Sequence, residues 1–251
     1  MKRIRHVSSL VAIALTLGLF SSTLLAEPYP VNWDAEAVKV IKQMDAYTGS
    51  MDKFVIEAES YTDATIGAGL VISNPSTSVV TVDRSGSLHS IRKSAAQASE
   101  IYLHKGNLTV YTSKNKFFTR AKVPAELREG LEFALEEFDV ETPLFDLLVV
   151  DSLDHYVSAE ADVIYVTGES SIRGVDCHQV LISGAHIDLQ IWIEKGDKPS
   201  PKRTLMTYKD EQTLPRHDVF IEWDATNDFK SSVFEFKPPK GAHEIDFIDA
   251  P

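Results

Sequence analysis

The sequence predicts a mainly β protein with helices (α+β), built on one large antiparallel sheet whose apolar face is covered by helices. Two observations predict the sheet: apolar and polar residues alternate with a period of two in many short segments, and the connections between these segments are short. A third observation, three stretches with helical periodicity, predicts the covering helices. The chain has 251 residues, 43% of them hydrophobic, which is enough for a sizeable core.

The first half of the chain is predicted to be one helix followed by a meander of strands. Apolar residues recur at helical spacing over 33–48, between the capping residue Asn32 and Gly49. From Lys53 to Val123 the period is two, and short turns favour antiparallel neighbours. Strands are predicted at 53–61, 65–73, 77–83, 87–93, 99–104, 107–112 and 116–122. The turns are predicted at Asn74-Pro75, Arg84-Ser85-Gly86, Lys105-Gly106-Asn107 and Ser113-Lys114-Asn115.

Two further helices interrupt the strands. Pro124 opens a helix at 125–138 with one apolar and one acidic face. The acidic face is expected to be solvated, and docking of a basic partner is the alternative. Thr142-Pro143 begins a much more apolar helix at 143–150. Strands then follow at 162–169, 175–183, 186–194, 203–210, 218–225, 231–237 and 243–248.

The first 26 residues have the pattern of a secretory signal. Three basic residues precede an apolar run from Leu10 to Leu25, which is shorter than the ~20 residues that a membrane-spanning helix needs. A retained anchor helix is the alternative. We expect cleavage near Ala26 and a single exported, soluble domain over 27–251, with no membrane span in the mature form.

The charge balance excludes some classes of partner. Without residues 1–26 the chain has 22 Lys and Arg against 37 Asp and Glu, a net charge of −15. Such an acidic surface repels nucleic acid and the anionic head groups of a membrane, so neither DNA nor a membrane surface is expected as a partner held by charge. Cys177 is the single cysteine, so no intramolecular disulfide can form.

A curved sheet closed by a few helices leaves space between the two layers. We expect this space to be lined by alkyl and aromatic side chains, which suits a lipid or another apolar guest. The segment 143–150 is the candidate lid, because polar hinges bracket its apolar residues; an ordinary core helix is the alternative. The expected ligand-binding residues of cavity and lid are Phe54, Ile56, Leu131, Leu135, Phe138, Leu144, Phe145, Leu147, Leu148 and Ile191.

Several segments, spread over roughly residues 32 to 248, carry a resemblance to a known superfamily. They are Trp33-Asp34-Ala35-Glu36-Ala37, Met44-Asp45-Ala46-Tyr47, Phe54, Gly168–Gly174, Asp176-Cys177-His178, Asp188–Glu194, Pro199–Thr204, Met206-Thr207-Tyr208 and Phe236–Ala242. With these segments the chain resembles the lipoprotein-localisation factor superfamily, the LolA and LolB type, and especially a group of predicted periplasmic proteins within it.

The resemblance implies a LolA-like fold and a periplasmic location. In that fold an antiparallel sheet curls into an incomplete barrel, and helices form a lid over a hydrophobic cavity. In the better-known relatives the cavity holds the acyl chains of lipoproteins, and a strand arginine holds the lid closed. Arg84, Arg92 and Arg120 are the candidates for that arginine, and the sequence does not choose among them.

No catalytic residue is assigned from the sequence. Asp176-Cys177-His178 places a thiol beside an imidazole, but adjacent residues of a strand point to opposite faces. Cys177 is therefore expected to be a buried structural thiol. The segment Gly168–Gly174 lacks the spacing of a nucleophile elbow and is expected to be a strand end with a turn.

Metal binding has only weak support in the sequence. His186 with Asp188, and His243 with Asp246, each supply two ligands, whereas a metal site needs three or four. A site assembled from distant strands is the alternative. We therefore expect no cofactor and no metal.

Together these observations predict a non-enzymatic periplasmic carrier or binding protein. Its expected partner is a hydrophobic small molecule, a lipid or an acyl chain, including that of a lipoprotein. One alternative is a periplasmic sensor or interaction module of the envelope-stress regulator type, with an envelope protein as partner. The other is an enzyme whose site is built from dispersed residues.

Overall fold

The computed structural model of the protein describes residues 32–148, 161–225 and 228–247. The predicted signal, its cleavage site and the predicted lid after Leu148 lie outside these residues. The described helices are α1 (Ala35–Gly49), α2 (Leu127–Phe138) and α3 (Phe145–Leu148), with 3-10 helices at Gly67–Gly69 and Ser231–Phe234. The described strands are β1 (Lys53–Ile66), β2 (Leu70–Asp83), β3 (Ser87–Ser94), β4 (Ala98–His104), β5 (Asn107–Thr112), β6 (Phe117–Lys122), β7 (Ala161–Ile172), β8 (Val175–Gly184), β9 (Ile187–Glu194), β10 (Pro201–Tyr208), β11 (Arg216–Asp224) and β12 (His243–Glu244).

All of these strands join one sheet, in the order β12-β6-β5-β4-β3-β2-β1-β11-β10-β9-β8-β7. Strands β1 to β6 follow one another in chain order, which confirms the predicted antiparallel meander. Pairing of β1 with β11 joins the two halves of the chain, and β12 is parallel to β6. Within the described residues the end strands β7 and β12 do not pair, so the sheet is open and not a closed barrel.

The outer edge of β7 is shielded by the segment that precedes α1. The Asp34 N–H donates to the carbonyl of Ile164 at 2.7 Å, and the Ile164 N–H donates to Asn32 at 3.3 Å. The indole Nε1 of Trp33 donates to the carbonyl of Ala161 at 3.2 Å. These bonds occupy part of an edge that would otherwise be open to another strand.

The helices lie on one face of the sheet, which we call the inner face. Helix α1 packs against β7 and β9 and buries Ala37 and Ile41. Helices α2 and α3 cover the other half, where Leu131 and Leu148 join a hydrophobic core with Phe54 and other residues of β1 to β5. Within the described ranges, each helix is too short or too polar to cross a bilayer.

The opposite, outer face is partly covered by the segment after β11. Phe234 is buried against His104, with ring centroids 6.2 Å apart, and Phe236 meets the rings of Tyr102 and Phe118 at 5.3 and 5.1 Å. The strand predicted at 231–237 is therefore wrong, since Ser231–Phe234 is a 3-10 helix. Its alternating apolar residues Phe234 and Phe236 pack against aromatic rings on the outer face of the sheet and do not pair with a strand.

The turn predicted at Asn74-Pro75 is also wrong. β1 and β2 continue as one long hairpin that turns at Gly67–Gly69. Pro75 is tolerated inside β2 because β3 pairs with β2 only from Ser76 onward, so the side of Pro75 away from β1 needs no backbone donor. Within the described part of the last predicted strand, 243–247, only His243–Glu244 is a strand.

Two glycines provide a test of how the chain before α2 packs. Gly86 and Gly196 have similar φ angles, +114° and +110°, but a Cβ at Gly86 would lie 2.5 Å from the carbonyl oxygen of Ala125, whereas Gly196 has open space. We expect replacement by alanine to cost about 1–3 kcal/mol at either site from the positive φ. Gly86→Ala should cost about 1–3 kcal/mol more, because of the overlap. Urea unfolding measures both, and equal losses would contradict the close approach of Ala125.

Candidate ligand-binding cavity

A cavity of about 400 Å³ lies on the inner face, between the sheet and the segment 140–147. Its floor is formed by β1, β2, β3, β9, β10 and β11. Leu135 and Tyr208 line it and are 39% and 38% exposed, so they mark its rim. The volume falls within the range of roughly 300–1,000 Å³ that is usual for small-molecule sites.

The roof of the cavity is mainly apolar and tightly folded. The Phe145 N–H donates to the carbonyl of Thr142 at 3.2 Å, and the Leu147 N–H donates to Leu144 at 2.9 Å. Leu144 has a φ of +62°, a left-handed conformation that costs a non-glycine residue about 1–2 kcal/mol. The apolar side chains of the roof are Val140, Pro143, Leu144, Phe145 and Leu147.

The structure divides the predicted ligand-binding residues between cavity and core. Those that line the cavity are Leu135, Leu144, Phe145 and Leu147, and the last three also pack against the neighbouring core. Those that lie in or against the neighbouring core are Phe54, Ile56, Leu131, Phe138 and Leu148. Ile191 is buried on β9, outside the lining. Within α3, Leu147 lines the cavity and packs against the core, and Leu148 lies in the core. The lid and core-helix interpretations of 143–150 both stay predictions.

The floor of the cavity is more polar than the sequence predicts. Instead of only alkyl and aromatic groups, it carries hydroxyls and two nitrogen-rich side chains. The polar floor residues are Ser60, Thr62, Ser78, Arg92, Thr204 and His217. A signal for them exists in β1, where the inward positions change from Phe54 and Ile56 to Ser60 and Thr62 along the strand.

His217 lies in this floor with its Nδ1 2.8 Å from the hydroxyl oxygen of Thr62. Burial lowers the pKa of His217 from its ordinary value of 6.5, and the positive charge of Arg92 lowers it further, against the opposing effect of Asp218. His217 is therefore neutral at neutral pH. The positive charge of the floor at that pH comes from Arg92.

Arg84, in the turn between β2 and β3, ties the end of the roof to the rest of the protein. Its Nη1 donates to the carbonyl of Leu148 at 2.9 Å, its Nε to Met51 at 2.9 Å and its Nη2 to Thr48 at 3.2 Å. Burial lowers the pKa of Arg84, although a guanidinium stays protonated in proteins. One half-buried cation thus joins α3 to the C-terminal end of α1.

The other two candidate arginines lie elsewhere. Arg120 is on the sheet surface, where its Nη1 lies 3.1 Å from a carboxylate oxygen of Glu244. Arg92 lines the cavity. Of the three candidates, Arg84 is therefore the one whose hydrogen bonds hold the end of α3.

The remaining sequence candidates have structural partners. Cys177 is fully buried beside Ile172 and Trp192, which confirms that the thiol is buried, and burial raises its pKa. The predicted turn at Arg173 and Gly174 is confirmed.

Neither predicted pair of metal ligands is extended by further ligands in the structure. His186 pairs with Asp210, at 2.8 Å, and Asp188 pairs with Lys209, at 3.0 Å. In the part of the chain that the structure describes, no three His, Cys, Asp or Glu side chains come together as a metal ion requires.

Residues 37–248 match the model of a family described as "Predicted periplasmic protein (DUF2092)". The chain belongs to this family. The description agrees with the periplasmic location expected from the sequence. No curated protein matches the chain by sequence.

Solved structures show similar arrangements. LprF from Mycobacterium bovis is 12% identical, with a TM-score of 0.48 over 84% of this chain and 99% of LprF. A chain of the MucA/MucB complex of Pseudomonas aeruginosa is 10% identical, with a TM-score of 0.44 over 81% of this chain and 62% of that one. A LolA superfamily protein from Nitrosomonas europaea is 11% identical, with a TM-score of 0.38 over 80% of this chain and 97% of that one. Likenesses at this level concern the course of the chain and not its ligands.

We expect the free energy of unfolding to decrease as the pH falls from 7 to 5. Burial lowers the pKa of His217 and of His89 in the folded protein, so the unfolded chain binds protons that the folded protein does not. Stability is therefore lost below about 6.5, the pKa of an unperturbed histidine. Carboxylates with lowered pKa values, such as Asp83, act in a separate window below about 4.

His217→Gln should weaken this pH dependence, and the exposed His243→Gln serves as the matched control. Urea unfolding at a series of pH values measures the effect. The same decline in wild type and His217→Gln would contradict a contribution of His217.

Arg84→Met should loosen the end of the roof. The replacement keeps most of the side-chain bulk but removes three hydrogen bonds to carbonyl oxygens, and we expect a loss of about 2–4 kcal/mol in the free energy of unfolding. Amide hydrogen exchange in 142–148 should accelerate as well. Arg173→Met removes an exposed ion pair with Glu59 and should change stability by less than about 1 kcal/mol. Unchanged exchange in the roof of Arg84→Met would contradict the tie.

Proposed function

We propose that this protein is a periplasmic, non-enzymatic carrier or binding protein for a ligand with an apolar tail. The observation that supports the proposal is the cavity between the sheet and the apolar roof. A tail that enters it leaves water for contact with Leu144, Phe145 and Leu147, which are only partly exposed. The ligand class is a lipid or an acyl chain.

Hydrophobic burial supplies the affinity in this proposal. Each methylene removed from water contributes about 0.8 kcal/mol, so eight to ten methylenes contribute roughly 6–8 kcal/mol before the entropic cost of association. No ion pair with the tail is needed. A cavity of about 400 Å³ has room for one such chain and not for several.

The roof is the element that admits the tail. It is attached to the core through Leu148 and through the hydrogen bond from Arg84, while Leu144, Phe145 and Leu147 line the cavity. Contact of the ligand with the core residues Phe54, Ile56, Leu131, Phe138, Leu148 and Ile191 would require the roof to move. The ten residues predicted from the sequence thus form an inner and an outer layer of the proposed site.

Leu147→Ser should weaken binding of a fluorescent fatty-acyl probe. Loss of one cavity-facing leucine removes apolar contact with the tail, and we expect the dissociation constant to rise about five- to thirtyfold, in line with about 1–2 kcal/mol. Fluorescence titration of the purified mature protein measures it.

Leu214→Ser is the matched control, because Leu214 is 51% exposed and does not line the cavity. Its affinity for the probe should equal that of wild type. Urea unfolding should show that both variants remain folded. Wild-type protein that binds no acyl probe, or Leu147→Ser with unchanged affinity, would refute the proposed function.

A further inference from the structure

Arg92 is a cation on the inner face that no described group neutralises. Its side chain lines the cavity, and it has no hydrogen bond or ion pair with any described residue. Arg84 and Arg203 differ from it. The guanidinium of Arg84 is held by three carbonyls, and that of Arg203 by both carboxylate oxygens of Asp218, at 2.7 and 2.8 Å. Arg92 is exposed, so water solvates its guanidinium donors, and a ligand in the cavity that accepts hydrogen bonds from them replaces that water.

Thr142 supplies a second, independent indication of a ligand. It lies in the roof of the same cavity and is 8% exposed, and its Oγ1 is buried without a hydrogen-bond partner among the described residues. Buried hydroxyls are almost always hydrogen-bonded, so an orphaned one in a cavity wall indicates a missing acceptor or donor. Arg92 in the floor and Thr142 in the roof therefore both offer donors to the same space.

Other groups of the lining are compatible with an anion in this space. Ser60 and Ser78 add hydroxyls on β1 and β2, and Ser78 is the direct cross-strand partner of Arg92. Glu141 is the only carboxylate among the described lining residues, and it is exposed to solvent, which screens its charge. His217 is engaged with Thr62.

We propose that the cavity binds an amphiphile by an anionic head group, a carboxylate or a phosphate, which Arg92 and Thr142 hold while the tail lies under the roof. A planar guanidinium matches the paired oxygens of either group and forms charge-assisted hydrogen bonds with them. This inference rests on the proposed carrier function, which places the apolar tail of the ligand under the roof. It adds selectivity, because a neutral amphiphile with the same tail lacks the negative charge that attracts Arg92.

Isothermal titration of the mature protein with four ligands tests the head-group site: palmitate, hexadecyl phosphate, hexadecanol and inorganic phosphate. Arg92→Met keeps the length of the side chain and removes the charge. We expect it to weaken palmitate or hexadecyl phosphate at least tenfold and to leave hexadecanol within twofold. Thr142→Val, which removes the hydroxyl at equal volume, should weaken the same anionic ligand by a smaller factor and spare hexadecanol.

Lys93→Met is the matched control for charge, since Lys93 is the next residue of β3 and points to the outer face. It should leave all four affinities unchanged. Arg92→Met that binds both anionic amphiphiles as wild type does, or that loses hexadecanol equally, overturns the head-group site.

The two amphiphiles and inorganic phosphate identify the source of the anion. Preference for palmitate supports a carboxylate head group, and preference for hexadecyl phosphate supports a phosphate head group. Binding of inorganic phosphate without binding of any long-chain ligand, lost in Arg92→Met, would overturn the amphiphile and the carrier function while the anion site stands. Binding of hexadecanol by wild type with no preference for either anion would overturn the anion site and leave the carrier function intact.

Discussion

The architecture depends on one constraint: the sheet is wider than its helices can cover. Twelve strands spaced about 4.8 Å apart would span roughly 50 Å if laid flat. Helices α1 and α2 have 15 and 12 residues, or roughly 22 and 18 Å of length, and α3 has four residues. Each helix covers the strands against which it packs. The part of the inner face between the helices is covered by the roof segment, 140–147. The cavity lies in that interval.

The strands below the cavity change character along their length. In β1 the inward side chains are Phe54 and Ile56 near its start, where they enter the dry core, and Ser60 and Thr62 further on, where they form the floor. An apolar floor beneath a loosely covered interval would favour collapse of the roof onto it, because burying apolar area is the main driving force of folding. Hydroxyls and a guanidinium lower that tendency, so the polar floor helps to explain why the space persists.

Two arginines of neighbouring elements have opposite environments. Arg84 is saturated by carbonyl oxygens and stabilises the junction of α1, β1 and α3. Arg92 lies on the next strand, is exposed, lines the cavity and has no hydrogen bond or ion pair with a described residue. In a chain with a formal net charge of −12, such an isolated cation is locally unusual. The two residues are of the same type, so only their environments distinguish the structural Arg84 from Arg92, which we propose binds a ligand.

The sequence by itself determined most of the secondary structure and the class of the fold. Period-two alternation in β3 to β6 and β8 to β11, and helical spacing in α1 and α2, follow from residues that must place one face in a core. Local pattern failed where distant contacts decide. Pro75 can lie within β2 because β3 ends at Ser94, opposite Ser76, and leaves Pro75 without a partner on that side. The alternating apolar residues after residue 230 do not form a strand; Phe236 among them packs against rings on the outer face of β4 and β6.

Only the tertiary structure decided which residues share the cavity. Leu144 and Leu147 were accessible to sequence reasoning, since an apolar segment with polar hinges is visible in one stretch of chain. Arg92 and Thr142 were not, because nothing local distinguishes a guanidinium or hydroxyl that lines a cavity from one elsewhere on the surface or in the core. They meet through strand register and the position of the roof, which depend on contacts between residues far apart in the chain. The local sequence determines the hydrophobic period of each element and therefore which of its faces is apolar. Which residues those faces contact is determined only when the whole chain folds.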